Sequence, residues 1–449
     1  MKLLLSSIVL FSLLLCSFTF AQQHSDIFSI TPQQPKIGDN ITITYNAFAS
    51  GALLKEVKEI TALCLVYRGD EDPLVMETSM KQEGTLWKAE FLLAEENAKH
   101  IAFQLFSGDT YDDNSRDCWN LLVYGNDGKP VKGAHYSYAQ VLQNGGQHFG
   151  ESKNPDKAKE ELTKELELYS ENPDAQMFYV RLHADEEKTP ETTEKLLGIL
   201  NSLSETLKEN EEKLYGLSFL YSMIGHGEKG KEIENTIVEK NPKGYVALRR
   251  ALRPYYSEQN TDKAAELFAS MVESFPDMDE KTKQSIADNL VYRYTNEKQF
   301  DKAEQWLLKA PKPSNVYYNY LAKTMVENDA NLEKAAALAQ KAVQLNKDIQ
   351  VSSKPSSMWM SEWEATNKSR LGASLGTHGY ALLKLNRFSE AEPVLQEAYT
   401  MNDGSSPDIN QRYVLAMVNN KNYDNAINTG LECIKNLHDN AKLLEDLKE

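Results

Sequence analysis

The feature that most limits this chain is an interval that repeats: Tyr221 is followed by Tyr255, and Pro242 by Pro276, at one common period of about 34 residues. Apolar residues around these markers recur with a 3.6-residue period, and Asn-Pro, Gly or Asp interrupts them once per ordinary helix length. One long helix cannot carry so many breaks, so the pattern predicts helical hairpins, each burying its apolar face only by stacking on its neighbours. Tyr255, Ala264, Phe268 and Pro276 mark one unit, and Tyr294, Ala303, Leu307 and Ala310 the next. Ala335, Ala339 and Ala342 mark another. Gly379, Leu382, Ala391, Leu395 and Ala398 follow, then Ala426, Gly430 and Cys433. Upstream, Ala134 to Leu207 reads as two degenerate hairpins, one carrying Ala158 and Leu162. Six to eight hairpins are expected over residues 131–449. The interval stretches between Ala264 and Ala303, and much further between Ala335 and Ala391. The second excess predicts an insertion near 347–367. Its residues Met358, Trp359, Met360 and Trp363 form either a loop that touches a partner or an extension of the next helix.

The markers resemble the tetratricopeptide repeat (TPR) pattern. There a small residue at the crossing lets two helices approach, an aromatic fills the gap beside it, and proline ends the second helix. The resemblance implies an α-α superhelical solenoid and a non-enzymatic scaffold whose first helices line a groove for a protein or peptide. Setting Gly230, Ala264, Ala303 and Ala391 in one register puts Tyr215, Phe219, Arg249, Arg253, Asp288, Tyr292 and Tyr380 on that face. Arg249 and Arg253 stand one turn apart, suited to gripping a carboxylate beside aromatic neighbours. The competing reading makes the tyrosines inter-repeat packing and the arginines solvated.

Ahead of the repeats the texture is different. Asn40–Tyr45 alternates, with Ile41, Ile43 and Tyr45 on one face, and Trp87, Ala89, Phe91 and Leu93 alternate likewise. Ala62–Tyr67 is apolar on both faces. Ile101–Phe106 and Trp119–Tyr124 complete the set, with turn signals between the runs. Six or seven short strands predict an immunoglobulin-like β-sandwich over residues 22–130. The expected fold class is therefore multidomain, all-β followed by all-α. Trp87 and Trp119 are read as core rather than as a sugar platform. The segment Asn126–Ala134, leading from strands into helical repeats, resembles the front half of exported bacterial proteins that end in a TlpA-like thioredoxin domain. This implies an alternative role as accessory to a thiol-disulfide redox system. The chain itself has no Cys-x-x-Cys. Cys64 and Cys118 both lie in the strand region and form a candidate disulfide.

Lys2 followed by the apolar run Leu3–Phe20, with small residues at Thr19 and Ala21, predicts a signal peptide over 1–21. Export to the periplasm is expected, with release from the cell as the alternative. No later stretch reaches the ~18 apolar residues of a membrane span. The net charge of −17 excludes nucleic acid as the main partner, since a basic face must meet phosphates. No cofactor or metal is expected: nucleotide-binding glycine loops and paired-histidine motifs are lacking, and the Asp109, Asp112, Asp113 and Asp117 loop lacks calcium-loop order. Gly372-Ala-Ser374-Leu-Gly376 matches a hydrolase nucleophile elbow, but helix-like sequence surrounds it, so small-residue packing is the preferred reading.

Overall fold

The computed structural model describes residues 26–436, apart from 70, 147–148 and 185–188. The expected signal peptide, residues 1–21, lies outside the described residues. The chain divides into two units, Met1–Asn172 and Pro173–Glu449.

The first unit has nine strands among its described residues. β1 (Phe28–Thr31), β2 (Asn40–Asn46), β5 (Lys81–Glu83) and β6 (Leu86–Leu92) make a sheet ordered β1-β2-β6-β5. β3 (Thr61–Arg68), β4 (Glu71–Ser79) and β7 (His100–Ser107) make the second, ordered β4-β3-β7. β8 (Thr110–Asp112) and β9 (Trp119–Leu122) both pair with β7. All pairings are antiparallel. Alternation works as expected in β2 and β6: Ile41, Ile43 and Tyr45 pair with Phe91, Ala89 and Trp87 and enter one core. That core also holds Ala62, Cys64, Val66, Ile101, Phe103, Leu105 and Trp119 from the second sheet, so the two sheets pack face to face. Phe28 stacks on Trp119 with ring centroids 4.1 Å apart. β3 is buried on both faces. Its second face is turned away from the other sheet, and α1 (Ala134–Asn144) lies on that side, packed on β7 and β9.

Helix begins at Ala134, where the sequence texture changes, but the division between units falls later in the chain, after Asn172. The first hairpin, α1 with α2 (Pro155–Leu168), belongs to the strand-bearing unit. Tyr169 donates to the Pro130 carbonyl at 2.8 Å, and the Gly133 amide donates to Glu165 Oε1 at 2.7 Å.

The candidate disulfide is corrected: Cys64 and Cys118 are free, buried thiols. The ladder supplies the reason. Cys64 pairs with Phe103 on β7, and Phe103 pairs with Trp119 on β9. Cys118 thus sits two strands from Cys64, about 9–10 Å across the sheet at the usual strand spacing. A disulfide closes only below about 7 Å between Cα atoms.

The second unit contains fourteen helices among its described residues, in seven antiparallel pairs. They are α3 (Pro173–His183) with α4 (Pro190–Thr206), α5 (Glu211–Met223) with α6 (Gly227–Lys240), and α7 (Tyr245–Ser257) with α8 (Thr261–Ser274). Next come α9 (Glu280–Asn296) with α10 (Phe300–Lys309), α11 (Asn315–Glu327) with α12 (Leu332–Lys347), and α13 (Met360–Lys384) with α14 (Phe388–Met401). The last is α15 (Pro407–Asn419) with α16 (Tyr423–Asn436). Helices touch their partner and the first helix of the adjacent pair, as in α3–α5, α5–α7, α9–α11, α11–α13 and α13–α15. Nearest-neighbour contact of this kind is what defines a helical solenoid. Polar side chains start the helices: Asn210, Asn260, Asp279, Ser314 and Asn331 each accept from a backbone N–H two or three positions on. Within the hairpins, Gly225, Lys298, Asn386 and Lys421 take left-handed conformations, each five positions before the small residue of the crossing.

That small residue is buried in the second helices from α6 onward, while in α4 the first buried residue is Leu196: Ala264, Ala303, Ala335 and Ala391 are fully buried, and Ala426 is 1% exposed. Gly230 takes the position in α6, where a Cβ would run into the Ser218 carbonyl oxygen of α5. Gly230→Ala must part these two backbones, a cost of about 1–3 kcal/mol for overpacking that outweighs the ~1 kcal/mol gain in helix propensity. Urea unfolding should show a net loss of up to about 2 kcal/mol, whereas a gain would mean that α5 and α6 are not so close.

The insertion resolves as the helix extension. Residues 348–359 form a linker with a short 3-10 turn at Val351–Ser353, and Met360 opens the 25-residue α13. Trp363 is buried on that helix, while Met358 and Trp359 stand half-exposed just before it.

Candidate interaction face

The first helix of each pair presents a face on which the residues singled out from the sequence come together in groups. On α5 and α7, Tyr215 packs edge-on against Phe219, with ring centroids 4.8 Å apart. It packs edge-on against Tyr245 as well, at 6.3 Å. Arg249 lies over the Tyr245 ring at 5.6 Å, a cation–π geometry. Arg253 donates to Tyr215 Oη at 3.4 Å and sits 3.0 Å from Glu234 Oε1 of α6, which Arg250 also engages. Phe219 is 52% exposed, and Arg249 and Arg253 are exposed too. Two arginines are thus held open beside an aromatic floor.

On α9 and α11, Tyr292 stacks on Tyr320 at 5.5 Å with the rings 19° from parallel. Tyr320 donates to Asn296 Oδ1 at 2.6 Å. Asp288 is half-buried, and its Oδ1 accepts from Gln284 Nε2 at 2.9 Å. Burial raises its pKa above the ordinary carboxylate value, with the Gln284 bond opposing. It borders a concavity of about 470 Å³ shared with Lys281, Gln284, Lys312 and Tyr317. Tyr380 on α13 lies apart from these groups. Arg412 of α15 covers its ring at 4.0 Å, and Lys384 approaches at 5.2 Å.

Tyr245 and Tyr320 were not among the residues expected on this face, although the signal was present. Tyr215, Arg249 and Asp288 each stand fifteen positions before the small residue of their crossing. The same offset from Ala335 gives Tyr320. Tyr245 is one turn ahead of Arg249, on the same side of α7.

The chemical alternatives do not find a site here. Ser374 lies within α13 and is 1% exposed, with no strand before it, so the strand-to-helix turn of a nucleophile elbow is not present there. It donates to the Arg370 carbonyl and accepts from Asn346 Nδ2, both at 3.0 Å. Gly372 and Gly376 are buried in packing against α14 and α15 residues Met401 and Ile409. Burial pushes the Cys64 and Cys118 thiols far up, out of the thiolate range that exchange chemistry needs. In the aspartate loop, Asp112 accepts from Tyr45 Oη at 2.7 Å and from the Leu53 amide at 3.2 Å. No described helix is long and apolar enough to cross a membrane.

No family model matches the sequence. No curated protein matches it either. Among solved structures the chain is similar to the APC/C hetero-tetramer Cut9-Hcn1, with a TM-score of 0.30 and 15% identity over 71% of this chain and 56% of that one. It is similar to the yeast Tom70, with a TM-score of 0.25 and 13% identity over 71% and 53%. The P58(IPK) TPR domain gives a TM-score of 0.19 and 13% identity over 70% and 95%. The chain spans little more than half the length of the first two. Overlap this low adds nothing to the helical-repeat assignment, which stands on the paired helices and on the buried small residue at each crossing from α6 onward.

Proposed function

We propose that this chain is a TPR-type scaffold that binds a peptide or protein segment along the faces of its first helices. The single observation behind this is the exposed group Tyr215, Phe219, Tyr245, Arg249 and Arg253, in which aromatic rings and guanidinium groups are already in mutual contact. Tyr and Arg supply large contact area and directional bonds at little entropic cost, and they dominate binding hot spots. Pre-positioned side chains lower the cost of association further. The scaffold is non-enzymatic and works in the bacterial cell envelope, in the periplasm. Supporting export is the charged, apolar and small-residue order of the first 21 positions. The strand order supports an immunoglobulin-like sandwich, with β1-β2-β6-β5 standing for A-B-E-D and β4-β3-β7-β9 for C′-C-F-G.

An array of random dodecapeptides tests the binding face. The unmodified chain should retain a subset of peptides, and Arg249→Glu with Arg253→Glu should weaken that subset at least tenfold. Equal retention by both proteins removes this face from the function.

A further inference from the structure

Four residues hold one equivalent position on successive first helices: Tyr215 on α5, Arg249 on α7, Asp288 on α9 and Tyr320 on α11. The row reads aromatic, cation, anion, aromatic. Both charges are unspent. Among the described residues Arg249 forms no ion pair, its guanidinium resting on the Tyr245 ring. Among the described residues Asp288 has only the neutral Gln284 amide as hydrogen-bond partner. Lys281 and Lys312 share its concavity, yet neither pairs with it. A half-buried carboxylate without a counter-charge favours an incoming cation, because partial desolvation strengthens the attraction. Tyr317, on the same concavity, offers an aromatic wall to that cation.

Building on the binding role proposed above, we infer that the groove selects an extended segment carrying an acidic residue for Arg249 and a basic residue for Asp288, three positions apart. The spacing follows from the helices. Tyr255 of α7 reaches across and donates to Asn289 Oδ1 of α9 at 2.8 Å, so the two helices are adjacent, and helices side by side lie on the order of 10 Å apart. An extended chain advances about 3.3 Å per residue, so about three residues span one helix to the next. A segment in the opposite polarity sets acid against Asp288 and base against Arg249, and like-charge contact rejects it. The same advance places flanking residues over Tyr215 and Tyr320, which suit apolar or aromatic side chains.

The probe is a set of dodecapeptides with one Glu and one Lys at separations of one to six positions, in both orders, in a constant Ser/Tyr background. Anisotropy titration should give tightest binding at a separation of about three, by at least tenfold over separations of one or six, with each order docking in the polarity that sets Glu on Arg249 and Lys on Asp288. Asp288→Asn should abolish the preference for Lys while keeping that for Glu. Arg249→Glu alone should abolish the dependence on separation, and Arg249→Glu combined with Asp288→Arg should restore it, with the peptide docked in the opposite polarity. Binding that ignores separation, yet is lost in Tyr215→Ala, overturns the charge pattern and leaves the binding face standing. Failure of every peptide to bind overturns both.

Discussion

Replacing Tyr255 by alanine is expected to destabilise the helical unit by about 3–5 kcal/mol, the usual cost of deleting a large buried ring and leaving a cavity. Tyr255 is 1% exposed and belongs to the core formed by α7 to α12, with Phe268 at 6.5 Å. Its hydroxyl crosses to α9 and donates to Asn289. Tyr255→Phe keeps the ring and loses only this bond, so about 1 kcal/mol is expected. Because repeats contact only their neighbours, the damage should stay local. Hydrogen exchange should quicken in α7 to α9 and hold steady in α15 and α16. A loss below about 1 kcal/mol for the alanine variant would mean that the tyrosine marker is not a packing residue.

Glu151→Gln is expected to stabilise the strand-bearing unit, increasingly so as pH rises from 4.5 to 7. Glu151 is 7% exposed, and neither carboxylate oxygen meets hydrogen-bond geometry with a neighbour. It is wedged against the Gly146 backbone, in a segment fastened by Ser152 N to the Arg116 carbonyl at 2.7 Å. Burial lifts its pKa to about 7, and the nearby Asp117 charge adds to this against the Cys118, Asn120 and Lys157 contributions. The raised value means that the folded state holds the proton more tightly than the unfolded chain does. Below the unfolded pKa of about 4.5 the acid is neutral in both states and carries no penalty. As pH climbs toward 7, folding must either retain a proton against solution or bury a charge, and stability falls. Above pH 7 the loss is complete, bounded at about 3 kcal/mol by the size of the shift. Glutamine mimics the neutral acid at every pH. Melting temperatures of the two proteins should coincide near pH 4 and diverge up to pH 7, with glutamine the higher. Parallel curves across that range would place Glu151 in water.

How far the fold could be read in advance depended on whether the determining contact was local. The crossing alanines were legible because a small residue at one helix position answers to a neighbour close in sequence, and Ala264, Ala303, Ala335 and Ala391 are all fully buried. Alternation in β2 was legible for the same reason. Sheet order was not. Nothing near Cys64 or Cys118 in the chain says that β7 runs between their strands, so the proposed bridge failed on geometry that only the folded ladder contains. Two-sided burial of β3 was visible as an apolar run. Helix α1 covers the second face of the sheet at β7 and β9, and it begins only at Ala134, well beyond β3. On the interaction face, Tyr215, Phe219, Arg249 and Arg253 were placed together by register alone. Tyr320 and Tyr245 were missed because that register was not extended to Ala335 or by one further turn. For the insertion, two readings stayed open until helix continuity from Met360 to Lys384 placed Trp363 in the interior.

Photocrosslinking in intact cells tests the central claim most directly. A benzophenone side chain is placed at Phe219, Tyr245 or Tyr292 on the first helices, and at exposed Leu308, Lys263 or Glu232 on the second helices as controls. Adducts from the first-helix positions, absent from the controls and lost when Arg249 and Arg253 carry glutamate, are the predicted result. Adducts of equal yield from both sets of positions, or from the second helices alone, would contradict it.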